Sequence, residues 1–468
     1  MTPGKPPTYT VALRSGTKTD VLEQILVQRV APSSTRGRDG LTPARLQSAW
    51  KATAPFVRDS LRAGTYPFSG YLQTVVSKGA SKLPRELSIP TARDRVALRA
   101  ILHALQACSP RTMPETAQTK VGRLAQELSL GRYDAFVRVD IVGFYDNVNH
   151  SILESKLQSL LRSAVQVTQL MRAVESPTVA RDSSASGRTN SLGVPQGLAI
   201  SGFLGELYLE GFDQNFGARS DLAYFRFVDD IVILCGADKA QELWGAVNHE
   251  LCRLGLTAHP LTDQSKSQLG LTAEGFDYLG YKFRGTSVSV REQNVRKLER
   301  SLARIFTQYR YAVHGPPRAG FNSVEWPDVC DEILVTRLNL LITGCTFEGK
   351  RRGWLTYFLR IDDESLLKKL DLLIVEHRRH FRVPGHLRLK SFVRAYWSWR
   401  SAPTSPRRRY LPDFDNLTEG EMRRYLRRLF LISGARVASM TPDEVARVFR
   451  QRMNKIVQEL ERDTTETS

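Results

Sequence analysis

Three carboxylates interrupt apolar runs in this 468-residue chain: Asp140 in FVRVDIVGFYDNV, and Asp229 with Asp230 inside FRFVDDIVIL (225–234). Two like charges on a buried strand repel each other and lose hydration, at a cost of several kcal/mol for an unpaired ion. Taken singly, each reads as a strand-end Asp bonded to backbone amides. An adjacent pair is different, because neighbouring strand side chains point to opposite faces and can share a site only where the strand turns. A divalent cation there offsets the repulsion. Mg²⁺ takes hard oxygen ligands at about 2.0–2.1 Å and is held by one or two carboxylates plus substrate phosphates. Two such ions roughly 3.5–4 Å apart serve in-line phosphoryl displacement.

The elements that must position these residues are legible in outline. Residues 21–130 carry helical spacing in VLEQILVQRV and RVALRAILHALQAC, interrupted by the basic stretch SKGASKLPRELSIPTARDR (77–95). Between about 136 and 290 strands and helices alternate, with a hairpin around 224–235, a helix near 239–254 and the strand pattern FDYLGYKF. That mixture predicts an α+β domain built on an antiparallel sheet. Beyond 290 the periodicity is helical almost throughout, broken by Gly, Pro and Ser near 315–320, 383–385 and 401–406.

Composition bounds the partners. Lys and Arg number 67 against 48 Asp and Glu, a net charge of +19 with most of the excess after residue 287, which suits a polyanion. Hydrophobic residues at 41% and charged residues at 25% are ordinary globular values. The five cysteines are scattered and show no C-x-x-C pair, which argues against a disulfide framework or zinc knuckle. With no apolar signal core at the N-terminus and no run of membrane-span length, a soluble cytoplasmic protein is expected.

The order of motifs carries a resemblance. Asp140 in RVDIVGFYDNV, then GVPQGLAIS (193–201), RFVDD (226–230), Lys266 in LTDQSKSQ and FDYLGYKF (276–283) resemble the palm of reverse transcriptases. Upstream, GRDGLT (37–42) and KLPRELSIPTARDR (82–95) resemble the fingers of the bacterial enzymes related to those of group II introns and retrons. The resemblance implies a right-hand polymerase fold: an arm at 1–20, helical fingers at 21–135 with part of the palm, the palm at 136–290, a helical thumb at 291–400 and a C-terminal helical region at 401–468. It implies an RNA-directed DNA polymerase that uses two Mg²⁺ ions, or Mn²⁺, held at Asp140, Ile141, Asp229 and Asp230. Asp140 and Asp229 are the principal ligands and Asp230 supports them.

Further roles follow from the same resemblance. Tyr145 matches the aromatic gate that crowds a ribose 2′-hydroxyl. Lys82 and Arg85 match the clamp on the incoming triphosphate. Gln196 and Gly197 match contacts to template or base pair, and Lys266 a proton donor to pyrophosphate. Phe227 stands where a Tyr is more usual in the hairpin motif. The partners implied are dNTPs, an RNA template or noncoding RNA, a DNA product, and a second copy or partner protein. The helical tail with TRLNLLITGCTFEGKRRGWLTYF (336–358) resembles the defence-associated and abortive-infection enzymes of bacteria, some of which synthesise without a template or prime from protein. A non-catalytic RNA-binding scaffold is the competing class, against which stand the three retained carboxylates.

Outside the palm, RRGWLTYF, RAYWSWR and PRRRYLP interleave Arg with Trp and Tyr. That pattern suits stacking and phosphate contact on single-stranded nucleic acid, and equally a helix-packing core with solvated arginines. The basic run Arg423–Arg428 reads in the same two ways.

Overall fold

A computed structural model of the chain describes residues 6–76, 84–112, 115–181, 189–262 and 265–462. The chain divides into two compact units: residues 1–116 with 132–271, and residues 117–131 with 272–468.

The first unit is α+β. Strands β1 (Tyr71–Val76), β2 (Arg85–Ile89) and β4 (Thr178–Val179) form one sheet in the order β2–β1–β4. Strands β3 (Ala135–Asp140), β5 (Ala223–Phe227), β6 (Asp230–Cys235) and β7 (Gln268–Leu271) form the antiparallel sheet expected at the centre, in the order β5–β6–β3–β7. β3 is buried along its whole length, its two charged residues Arg138 and Asp140 included. Helices Ala92–Cys108 and Ser201–Gly217 contribute to the large core of this unit, where Val137, Val139, Ile231 and Ile233 meet Leu204, Leu207 and Tyr208.

Two expectations change here. The N-terminal arm assigned to residues 1–20 contains a helix over Tyr9–Gly16, and Tyr9 and Leu13 are buried in the core. The prolines end at Pro7, after which Tyr9, Ala12 and Leu13 recur at helical spacing. The basic stretch around 85–89 is a strand, paired antiparallel with β1 from Leu72↔Ile89 to Val76↔Arg85. Its five residues are too short to show periodicity once Arg85 and Glu86 are included.

In the second unit, β8 (Phe276–Tyr278), β9 (Tyr281–Arg284) and β10 (Ser287–Val290) form an antiparallel sheet. They cluster with the helices that follow rather than with residues 132–271. FDYLGYKF is therefore a hairpin, closed by Leu279 and Gly280, both with positive φ (50° and 80°), as a two-residue primed turn requires. The remaining helices include Glu292–Val313, Trp326–Thr343, Glu364–His380, Phe392–Arg400, Glu419–Arg428 and Pro442–Glu461. A short pair, β11 (Cys345–Phe347) with β12 (Lys350–Arg352), interrupts the helical tail. No helix among the described residues is long and apolar enough to cross a membrane.

Candidate active site

Sheet register brings the carboxylates together. β3 pairs with β6 so that Asp140 lies directly opposite Asp230, and β5 pairs with β6 through Phe227↔Asp230, leaving Val228 and Asp229 as a two-residue turn. The Ile141 amide donates to the Asp229 carbonyl at 3.1 Å, tying the end of β3 to the hairpin tip. Val228 holds φ +58°, a conformation unusual for a β-branched residue and one that stores strain on the order of 1–3 kcal/mol. Buried Arg226 stabilises that turn. Its Nη1 donates to the Val228 carbonyl at 3.0 Å and to Glu206 at 3.2 Å, and its Nη2 reaches Glu206 at 2.8 Å and Asp213 at 2.5 Å. Burial pulls the Arg226 pKa down, but hydrogen bonding and charge from Asp213 and Glu206 outweigh it and raise the pKa.

The three acids differ in their surroundings. Asp140 Oδ1 accepts from Lys266 Nζ at 2.9 Å and lies 3.2 Å from His259 Nε2. Its amide donates to Ser267 Oγ at 3.2 Å, and its carbonyl accepts from the His259 amide at 2.9 Å. Asp230 receives both Nε and Nη2 of Arg138, at 3.2 and 3.3 Å. Burial pushes the Asp230 carboxyl up to about 6, against the downward pull of Arg138. Asp229 is raised by burial and then by the charge of Asp140. Two carboxylates whose repulsion is felt in the Asp229 pKa make a hard-oxygen donor set, and that set fits a divalent cation. Among the described residues no group of three or more His, Cys, Asp or Glu side chains converges as a ready-made metal cluster.

The loop GVPQG sits against both the 144–147 turn and β2. The Gly193 amide donates to the Val148 carbonyl, and the Val194 amide to the Tyr145 carbonyl at 2.7 Å. At Gly197 (φ +107°) a Cβ would stand 2.9 Å from the Ser88 carbonyl, so only glycine fits where the loop meets β2. The Ser88 amide donates to the Gln196 carbonyl at 2.7 Å. The Gln196 side chain bridges two segments: its Oε1 accepts from Arg85 Nε and its Nε2 donates to Asp146 Oδ1 at 3.0 Å. The Tyr145 ring packs beside Phe144 over Gly205, where a Cβ would meet both rings at 3.0–3.3 Å. Burial, followed by Glu206 and Asp229, pushes the Tyr145 phenol up to about 12.

Residues 76–283 match the family model of reverse transcriptase (RNA-dependent DNA polymerase). The chain carries a reverse transcriptase domain. It is thus an RNA-directed DNA polymerase domain with the right-hand polymerase fold. Among curated proteins, Protein YkfC of Escherichia coli (strain K12) is 24% identical over 295 residues, covering 53% of this chain and 75% of that protein. Among solved structures, the apo telomerase of Candida tropicalis truncated from the C-terminal domain aligns with a TM-score of 0.37 and 12% identity, over 52% of this chain and 60% of that one. The telomerase of Candida albicans, in complex with a TWJ fragment of telomeric RNA, aligns with a TM-score of 0.38 and 10% identity, over 72% and 64%. The chain spans less than two thirds of either telomerase.

Of the residues singled out in the sequence, Asp140, Ile141, Asp229, Asp230 and Lys266 meet at one end of the β5–β6–β3–β7 sheet, and Arg85, Gln196 and Gly197 meet at β2. Lys82 lies outside the described residues. Arg138, Asp146 and His259 are site residues that the sequence alone did not single out. Arg138 had a usable signal, since it precedes Asp140 by two on one strand and so shares its face. His259 had none, because its contact to Asp140 depends on a loop packing after the fold is made.

Proposed function

We propose that the protein extends a DNA 3′-hydroxyl with dNTPs on an RNA template, with Asp140 and Asp229 as principal holders of two Mg²⁺ ions. The observation that carries this reading is the register Asp140↔Asp230 with Asp229 in the adjoining turn, which brings acids from two distant segments to the same end of the sheet. Bound there, the cations would activate the attacking hydroxyl and neutralise the leaving pyrophosphate. The chain's own groups do the rest. Asp140 and Asp229 supply the oxygens, while Arg138 holds Asp230 through both Nε and Nη2. Ile141 contributes main chain at the tip. Lys266, bonded to Asp140, would give a proton as pyrophosphate departs. Arg85 presents a planar guanidinium for phosphate oxygens, anchored by Gln196; the sequence resemblance assigns Lys82 to the same role. Tyr145, braced by Phe144 and Gly205, crowds a ribose 2′-hydroxyl.

The finer reading is a cytoplasmic enzyme of bacterial antiviral defence working with a noncoding RNA. It rests on the resemblance of the helical tail around 336–358 to defence-associated relatives. Primer extension on a defined RNA template tests the core of this reading. Wild-type protein with Mg²⁺ yields the DNA complement, and Asp229→Ala loses at least about a hundredfold in rate while keeping its circular-dichroism spectrum. Undiminished synthesis by the folded Asp229→Ala protein would refute it.

A further inference from the structure

The second unit has two arginine-rich surfaces, and they are not alike. On helix Glu419–Arg428, Arg423 pairs with Glu419, Arg424 with Glu332, Arg427 with Glu325, and Arg428 with both Glu325 and Glu332. The last three of these arginines fasten this helix to Glu325 and Glu332 of another. Around helix Phe392–Arg400 and the 3₁₀ turn Pro406–Tyr410 the situation is reversed: among the described residues Arg394, Arg407 and Arg409 are exposed and no carboxylate lies within ion-pair distance of any of them.

These arginines border a cavity of about 550 Å³ that Trp397, Pro406 and Tyr410 also line. The tryptophans of this region divide sharply. Trp354 and Trp399 are buried, and the Trp399 indole N–H donates to the Thr343 carbonyl at 2.6 Å, so both serve packing. Trp397 is 43% exposed. Arg400 stands over one side of the ring at 5.9 Å from its centroid and Tyr396 braces it edge-on at 5.5 Å, so the indole is held in place while much of it stays exposed. Tyr410 is fixed too: its hydroxyl accepts from the Ser391 amide at 2.7 Å, and Arg394 stacks 4.4 Å from its ring centre.

We propose that this cavity is a binding site for single-stranded nucleic acid, in which a base stacks on Trp397 while flanking phosphates engage Arg394, Arg407 and Arg409. A large exposed indole costs hydration unless a flat apolar partner covers it, and every base offers a π-face. Guanidiniums without carboxylate partners, gathered within one cavity, match phosphate oxygens in a fork geometry. The proposal rests on the polymerase reading for the class of polymer handled, and not for the carboxylate chemistry.

The test uses the full chain and a short single-stranded RNA carrying 5-iodouridine. Photocrosslinking followed by peptide mass spectrometry is expected to place an adduct on Trp397 or Tyr410. Fluorescence anisotropy is expected to show affinity falling about tenfold in Trp397→Ala and largely retained in Trp397→Phe. Arg407→Glu with Arg409→Glu, both at exposed positions that do not threaten folding, should weaken binding and flatten the slope of log Kd against log salt by about 1.4, at roughly 0.7 per phosphate lost. A blunt duplex of the same sequence, its bases already stacked, should bind at least about tenfold more weakly at this site.

Unchanged affinity and slope in both variants, or adducts confined to the first unit, would overturn the proposal. So would polyglutamate displacing the RNA at equal charge concentration, which would reassign the cavity to an acidic peptide. If these losses are seen while wild-type protein extends no primer, the polymerase reading fails and the cavity assignment stands. Normal extension with no losses removes the cavity assignment and leaves the polymerase reading in place.

Discussion

At the scale of single residues, Asp229 shows how a functional group opposes the fold that carries it. Burial and the charge of Asp140 raise its pKa, so its ionised form is worse off folded than unfolded. Below the ordinary carboxylate pKa of about 3.9 the group is protonated in both states and the penalty vanishes. As pH rises past that value the unfolded chain ionises first and the penalty grows. Asp229→Asn in the presence of a chelator is therefore expected to match wild type in Tm near pH 3 and to exceed it at pH 7. Adding Mg²⁺ should narrow the gap by stabilising wild type alone. Thermal melts at the two pH values check this, and a mutant less stable at pH 7 than at pH 3, relative to wild type, sinks it. Tyr145 makes the complementary case, a residue whose bulk matters. Its phenol, pushed up to about 12, stays neutral at working pH, so its effect on a ribose is steric and hydrogen-bonding rather than ionic. Tyr145→Ala is expected to raise incorporation of rNTPs relative to dNTPs by roughly tenfold to a hundredfold, read by competition in primer extension. An unchanged ratio would assign Tyr145 to packing beside Phe144.

At the scale of elements, the hairpin β5–β6 depends on Arg226, which lies inside the RFVDD motif without being one of its acids. It is almost wholly buried, joins the hairpin to helix Ser201–Gly217 through Glu206 and Asp213, and holds the carbonyl of strained Val228. Arg226→Met leaves two acids without their partner, and breaking such a pair costs about 3–5 kcal/mol. Denaturant unfolding should show that loss. Arg226→Lys should recover only part of it, because an ammonium cannot reproduce the forked contacts to two carboxylates and a carbonyl. This also marks where the sequence stopped being readable. A carboxylate inside an apolar strand conflicts with its surroundings, and such conflicts point to function, which is why Asp140, Asp229 and Asp230 stood out. Arg226 and Arg138 sit in comparable strands, yet their partners lie at distances of 13 to 92 residues and appear only once register is fixed. The strands β2, β11 and β12 were hidden for a different reason. Three to five residues cannot display a period of two, and Lys350–Arg352 contains no apolar residue at all.

At the scale of the whole molecule, a net charge of +19 overstates the positive surface available to a polyanion. Glu325 and Glu332, at the start of and within helix Trp326–Thr343, neutralise Arg424, Arg427 and Arg428, so a run that reads as a basic face is an inter-helix fastening. These pairs are partly exposed, and each contributes about 1 kcal/mol or less, more weakly still at high salt. Replacing both acids, Glu325→Gln with Glu332→Gln, separates the two uses of charge. Stability should fall by roughly 1–2 kcal/mol at low salt and by less at about 0.5 M salt, as measured by denaturant unfolding. The three released arginines should at the same time increase non-specific affinity for single-stranded RNA and steepen its salt slope, by up to about 2 if all three find phosphates. A double variant that loses stability without any change in slope would mean that those arginines face away from every path the nucleic acid takes, leaving the Trp397 surface as the main basic contact of this unit.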